Sequence, residues 1–288
     1  MISEPLLICL LAGHFCGAIL LQAERAILNP TWFDVLKQGI LVTALSYLLT
    51  GWWAKWEIPL ILFLAHCLIG TVTRFYSGKK QSPFLKSQAA YLFIIMLLVM
   101  VFGQNTLSLL SDNDDKRPFL QSSNDHTARN TDLKITSGEQ QALVHRGDFS
   151  LYWVEHFGRA YLVILLVITG LVLSVKAGGL MIGIAVAPFQ KQIKTEHKKS
   201  PILSGKGLKN GGKLIGQLER AVIFILFFAG MKTGIGFLIA AKSILRFGEI
   251  KNSQQRMEAE YIIIGTLMSF GFGILVASST LAMIDHLK

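Results

Sequence analysis

The chain has 288 residues, of which 52% are hydrophobic and 16% charged, with a formal net charge of +10 and a mean hydropathy of +0.49. Soluble domains carry charge on about a quarter of their residues, so this composition excludes a water-soluble globular protein. It sets the expectation of an all-α, polytopic transmembrane bundle, in which the helix is the unit of organisation.

The first apolar run, Pro5–Leu21, follows Glu4 rather than a basic segment and is not followed by a small-residue cleavage site, so the expectation is a retained helix and not a signal peptide. Further spans are expected at Lys37–Trp53, Ile58–Arg74 and Ser87–Leu109, completing an N-terminal region over 1–103. Trp52, Trp53 and Trp56 between the second and third spans read as interfacial anchors, where amphipathic rings prefer to sit. Cys9, Cys16 and Cys67 all fall in these apolar runs and offer neither a disulfide framework nor a metal knuckle.

Residues 104–158 are polar and mix both signs of charge, and SDNDDKRPFLQSSNDHTARNTD within them is poor in aromatic residues, so the segment reads as an extracytoplasmic linker. Asp112 and Asp114 followed by Lys116 do not supply the alternating oxygens of a calcium loop. A C-terminal region over 159–288 follows, with spans at Arg159–Pro188, Leu214–Met231, Thr233–Arg246 and Tyr261–Ile284. Seven or eight spans are therefore expected. Thr233–Arg246 is the short one, at about 21 Å of helix against a hydrocarbon core of about 30 Å, which fits a re-entrant segment or one arm of a hairpin.

The basic residues cluster. Lys191, Lys194, Lys198, Lys199, Lys206, Lys209 and Lys213 crowd a loop over 189–213, and Arg74, Lys79, Lys80 and Lys86 crowd another. Clusters flanking apolar spans follow the positive-inside pattern and attract anionic lipid, so the net charge points to the bilayer and not to nucleic acid. The Gly- and Lys-rich stretch from Ser200 to Gly212 lacks the spacing and the preceding strand of a phosphate-binding loop.

Two constellations carry chemical interest. His14 and His66 each lie inside an apolar span, where imidazole can ligate a metal. Two imidazoles are short of the three protein ligands of a catalytic zinc. No carboxylate lies four residues on, where Ala18 and Gly70 stand instead, and Gly13 and Gly17 form a Gly-x3-Gly step that favours close helix packing. The expectation is no cofactor, with a divalent metal on His14 and His66 as the alternative.

The second constellation is the stretch Gly216–Phe247 with its neighbour Glu260. Glu219 and Arg220 lie just inside the sixth span, while Lys242 and Arg246 share one face of the seventh segment at a spacing of four. If that segment turns back, these residues and Glu260 meet near the cytoplasmic leaflet. Charges beside hydrocarbon are paired or functional, so Glu219, Arg220, Lys242, Arg246 and Glu260 form a candidate site for an anion, an anionic lipid or a partner membrane protein.

Gly216-Gln217-Leu218-Glu219-Arg220, the run Ile235–Ser243, Arg246-Phe247-Gly248-Glu249, Glu260-Tyr261 and Gly265-Thr266-Leu267 resemble the C-terminal part of an uncharacterised bacterial membrane family, the domain of unknown function 3307 family, over Gly211 to Phe272. That family shows two His-x3-Asp steps and an Asp-Gln, which here read His14 to Ala18, His66 to Gly70, and Ser87-Gln88. The resemblance implies a bacterial inner-membrane location and a pattern similar to membrane-bound metal-dependent hydrolases. The acidic positions of that pattern are missing from this chain. The leading expectation is a non-enzymatic membrane component, with a metal-dependent hydrolase, intact or degenerate, on His14 and His66 as the alternative and a transporter or channel subunit as the second alternative.

Overall fold

The structure, a computed structural model, describes residues 4–20, 30–51, 56–76, 83–102, 152–199, 211–247 and 253–287. All regular structure among them is helical. Helix α1 (Glu4–Phe15) runs into a π-helical turn over Cys16–Leu20. Then follow α2 (Trp32–Thr50), α3 (Glu57–Tyr76), α4 (Pro83–Phe102) and α5 (Tyr152–Val172). A second π-helical turn, Leu173–Ala177, leads into α6 (Gly178–Lys199). The series closes with α7 (Gly211–Phe228), α8 (Lys232–Phe247) and α9 (Ser253–His286).

Among the described residues, four stretches are long and apolar enough to cross a membrane, Trp32–Thr50, Glu57–Phe75, His156–Gln190 and Ala259–His286, with shorter apolar helices at Glu4–Leu20 and Lys86–Phe102. The all-helical membrane class expected from composition is therefore present. Two boundaries differ from expectation. The segment expected as linker up to 158 is already helical from Tyr152, with a kink at Gly158 (φ 57°). The segment expected as a loop from 189 continues α6 through Pro188 to Lys199. The Asp112–Lys116 stretch, Trp52, Trp53 and the Gly- and Lys-rich residues 200–210 lie outside the described residues.

The chain divides into two compact units, Met1–Leu165 and Leu166–Lys288. In the first, α2 begins at Thr31, whose hydroxyl accepts from the Asp34 amide (3.2 Å) while the Asp34 carboxylate accepts from the Thr31 amide (2.9 Å), a reciprocal cap. The helix ends at Gly51, whose φ of 62° suits a residue without Cβ. Helices α1 and α2 approach closely. A Cβ on Gly13 would stand 2.7 Å from the Ser46 Cα, and one on Gly17 2.8 Å from the Val42 Cα, so the Gly-x3-Gly step is what admits this crossing. Leu6, Leu10, Ile58, Leu62, Ile95, Leu98 and Val99 form the core that joins α1, α3 and α4. Opposite that core Leu60, Leu64 and Leu68 of α3 are exposed, the face such a helix turns to lipid.

In the second unit α7 and α8 form a helical hairpin. Met231 N–H donates to Leu226 O (2.9 Å) and Gly230 N–H to Phe227 O (3.1 Å), the paired bonds of a Schellman motif around Gly230 at φ 73°. The short segment expected at Thr233–Arg246 is the second arm of that hairpin. With 16 residues it is about 24 Å long. Ile223, Ile235 and Phe270 bind α7, α8 and α9 together, and Phe224, Val276 and Ala277 extend the contact between α7 and α9.

Candidate functional site

Each unit encloses polar side chains in its apolar interior. In the first unit, His14 of α1 and His66 of α3 are both buried and meet through Nδ1 and Nε2 at 3.1 Å. His66 Nδ1 lies 2.8 Å from the Leu62 carbonyl, which can only accept, so this nitrogen carries a proton. His14 Nε2 lies 3.1 Å from the Gln88 side-chain amide of α4; because His14 Nδ1 donates to His66, this nitrogen accepts, and the hydrogen-bond network assigns the amide NH2 of Gln88 to it. Tyr91 stacks on His66 with ring centroids 4.3 Å apart and donates to the His66 carbonyl at 3.4 Å. The structure thus brings together the two histidines expected as metal ligands and joins them to Gln88.

This set is an imperfect fit to a metal. All four ring nitrogens are engaged by protein groups, and no group of three or more His, Cys, Asp or Glu side chains is gathered among the described residues. Gln88 adds only a neutral amide to the two imidazoles. As it stands the cluster is a closed chain of hydrogen bonds linking three helices, the arrangement that makes buried polar groups tolerable in hydrocarbon.

The second unit holds a buried cation. Arg220 sits in the middle of α7 with only 3% of its surface exposed. Its Nη1 donates to Ser269 Oγ of α9 at 2.9 Å, and its Nη2 donates to the Val175 carbonyl at 3.0 Å. Val175 belongs to the π-helical turn Leu173–Ala177, whose Ser174 hydroxyl in turn donates to the Arg220 carbonyl at 3.4 Å. Arg220 Nε has no hydrogen-bond partner among the described residues.

Glycines make the room. A Cβ at Gly178 would stand 3.1 Å from Cδ of Arg220, one at Gly179 2.9 Å from Nη2, and one at Gly216 3.4 Å from Nη1. Gly216 precedes Arg220 by one turn, so the side chain reaches back toward the start of α7, as long helical side chains do. That start is the end bearing Lys213 and the basic cluster.

The other members of the expected set lie at the same end of this unit. Glu219 and Lys242 form an ion pair of 2.5 Å across the α7–α8 hairpin, partly shielded from solvent. Lys242 Nζ also stands 5.6 Å from the centre of the Phe270 ring. Arg246 follows one turn later in the last turn of α8, and its side chain lies outside the described set. Glu260 is exposed at the start of the apolar part of α9. The sequence grouped Glu219 with Lys242 in one charged set but did not single out their pairing. The turning of Arg220 onto a different face, toward Ser269 and Val175, was not singled out either. The signals were the Gly178-Gly179 pair and the Ser269-x3-Gly273 step, small residues that let helices close around a long side chain.

No protein-family model, curated protein or solved structure matches this chain.

Proposed function

We propose that this chain is a multi-pass protein of the bacterial cytoplasmic membrane, a non-enzymatic component that holds an anionic ligand, lipid or partner protein at the cytoplasmic leaflet. We further propose that it belongs with the domain of unknown function 3307 family it resembles. The observation that carries the functional reading is Arg220, a buried guanidinium whose hydrogen-bond partners are the neutral oxygens of Ser269 and Val175. A charge enclosed in a membrane protein is costly and marks function by default. The neighbouring Glu219 carboxylate is engaged by Lys242, so its contribution to balancing Arg220 is shared with a second cation.

In this reading Arg220 is the binding residue, and the Glu219–Lys242 pair with Arg246 and Glu260 forms the polar rim at the cytoplasmic end of the hairpin. The direction of the Arg220 side chain toward Gly216 supports that placement, as does the run of lysines around α7's start. Native mass spectrometry of an Arg220→Ala/Lys242→Ala protein that still inserts and folds tests it. The expected result is loss of most co-purifying anionic lipid or partner, and unchanged retention sinks the reading.

A second reading is favoured by one observation. His14, His66 and Gln88, which stand where the resembling family carries its three motif positions, converge in space. A membrane-embedded hydrolase, intact or degenerate, centred on the two histidines accounts for that convergence. Metal analysis of the purified protein beside a His14→Ala/His66→Ala variant separates the readings. A stoichiometric divalent metal lost in the variant favours the hydrolase, and equal trace metal in both removes it.

A further inference from the structure

We infer that the ligand of the Arg220 site is an oxyanion of the phosphate type, taken side-on by the Nε and Nη2 edge of the guanidinium within the glycine cradle of α6. This rests on the proposed leaflet site and narrows its chemistry. Guanidinium carries five N–H donors in a fixed plane. Of these, Nη1 serves Ser269 and Nη2, which has two protons, serves Val175 with one, while Nε serves nothing. Nε and Nη2 share one edge, and that is the edge on which two oxygens of a phosphate or carboxylate can land together.

The guanidinium is packed directly on the α6 backbone, so an incoming group takes a place that a protein group now holds. Gly178 and Gly179 are the residues against Cδ and Nη2, and any side chain at Gly179 would press on Nη2. One turn further along α6, a Cβ at Gly183 would meet no atom within 4 Å, and Gly183 is exposed. That opening is local, because Val186 on the same face is buried again before Gln190 and the lysines that follow. A phosphate head approaching from that basic end reaches Nε by exchanging with, or sharing, the place of the Val175 carbonyl. That carbonyl belongs to a π-helical turn, a backbone form that recurs at functional sites because its hydrogen bonding is easily rearranged. An oxyanion puts one oxygen on each donor of this edge, whereas a halide must share one centre between both, so the geometry favours a forked acceptor over a spherical one.

The phosphate can belong to a lipid or to a soluble molecule, and the test separates the two. The full chain is placed in nanodiscs of the phosphate-free glycolipid digalactosyldiacylglycerol with or without one-fifth phosphatidylglycerol, and retained lipid is read by native mass spectrometry. Dimethyl phosphate, a soluble headgroup mimic, and chloride are added as competitors. The expected result is selective retention of phosphatidylglycerol by the wild-type protein, displaced by dimethyl phosphate and not by equal chloride. Arg220→Lys, which keeps the charge and loses the edge, is expected to lower retention about tenfold, as is Gly179→Ala. Helical content by circular dichroism verifies that each variant is folded.

If dimethyl phosphate binds the protein in plain glycolipid discs as strongly as it displaces the lipid, the ligand is a soluble phosphate and the chemistry stands. If Arg220→Lys retains lipid like the wild type while Arg220→Gln loses it, the side-on oxyanion is overturned and only the charged leaflet site survives. If Arg220→Gln also retains lipid like the wild type, both fall.

Discussion

The two units solve the same problem, polar side chains inside an apolar bundle, in opposite ways. The first unit closes its histidines on one another: His14, His66, Gln88 and the Leu62 carbonyl form a chain of hydrogen bonds in which every ring nitrogen is satisfied, while the Thr43 and Ser46 hydroxyls of α2 have no partner among the described residues. The second unit encloses a cation, gives it two neutral acceptors and leaves Nε without one. In each, a π-helical turn lies beside the polar group, Cys16–Leu20 next to His14 and Leu173–Ala177 against Arg220. The first arrangement is complete without a ligand and reads as architecture. The second is incomplete and reads as a site. Completeness of hydrogen bonding, more than burial or residue type, is what separates the two.

The comparison breaks most severely at the helix crossing that holds the first network together. Gly13→Leu places a side chain where the Ser46 backbone already lies, and overpacking of this kind costs about 3 kcal/mol or more. The variant is expected to lose the α1–α2 contact and with it the His14–His66 bond. Thermal unfolding in detergent, followed by circular dichroism, should show the largest drop of any substitution named here.

That glycine also shows what could be read in advance. The Gly-x3-Gly step around His14 and the apolar runs are local signals, and they produced the close crossing and the helices expected of them; the turn at Gly230 was not singled out in the sequence. The meeting of His14 with His66 and Gln88 joins residues 52 and 74 positions apart, and no local pattern fixes such a register. The backbone acceptor of Arg220 lies in a π-helical turn of the neighbouring helix, which adds one residue to a helical turn and shifts every position of that helix after it. Nothing in Leu173–Ala177 announces that insertion, so Val175 could not be picked out as a partner, whereas the Ser269-x3-Gly273 step marks α9 as a close neighbour.

A second test separates architecture from site. His14→Ala removes the bond to His66 and leaves His66 Nε2 and the Gln88 amide buried without a partner. The unmet polar groups and the lost volume together are expected to cost about 2–3 kcal/mol. Lipid retention by the second unit should not change, and a parallel loss of both would show that the polar groups are coupled. Arg220→Met is the converse. A buried charge replaced by an apolar side chain of similar length is often neutral or stabilising, so unfolding is expected to stay within about 1 kcal/mol of the wild type or improve, while retention of anionic lipid falls. A steep loss of stability in Arg220→Met would make this residue part of the architecture and erase the contrast between the units.

The smallest effect is expected at the Glu219–Lys242 pair. Its geometry is close, but both side chains keep some contact with their surroundings, 28% exposed for Lys242 and 13% for Glu219. Pairs of this kind contribute about 0–1 kcal/mol, here joined by the contact of Lys242 with the Phe270 ring, about 0.5 kcal/mol when exposed. Lys242→Met keeps the apolar stem against Phe270 and removes the charge, so stability is expected to change by less than about 1 kcal/mol. The charge balance beside Arg220 changes more, because Glu219 is then released from its cation and competes with any incoming anion for the guanidinium. Weaker lipid retention in Lys242→Met, restored in Glu219→Gln/Lys242→Met, is the expected pattern by native mass spectrometry. Retention that falls equally in both variants would mean that Lys242 touches the ligand itself, and would move the binding residues from the α6–α7 cradle out to the α7–α8 hairpin.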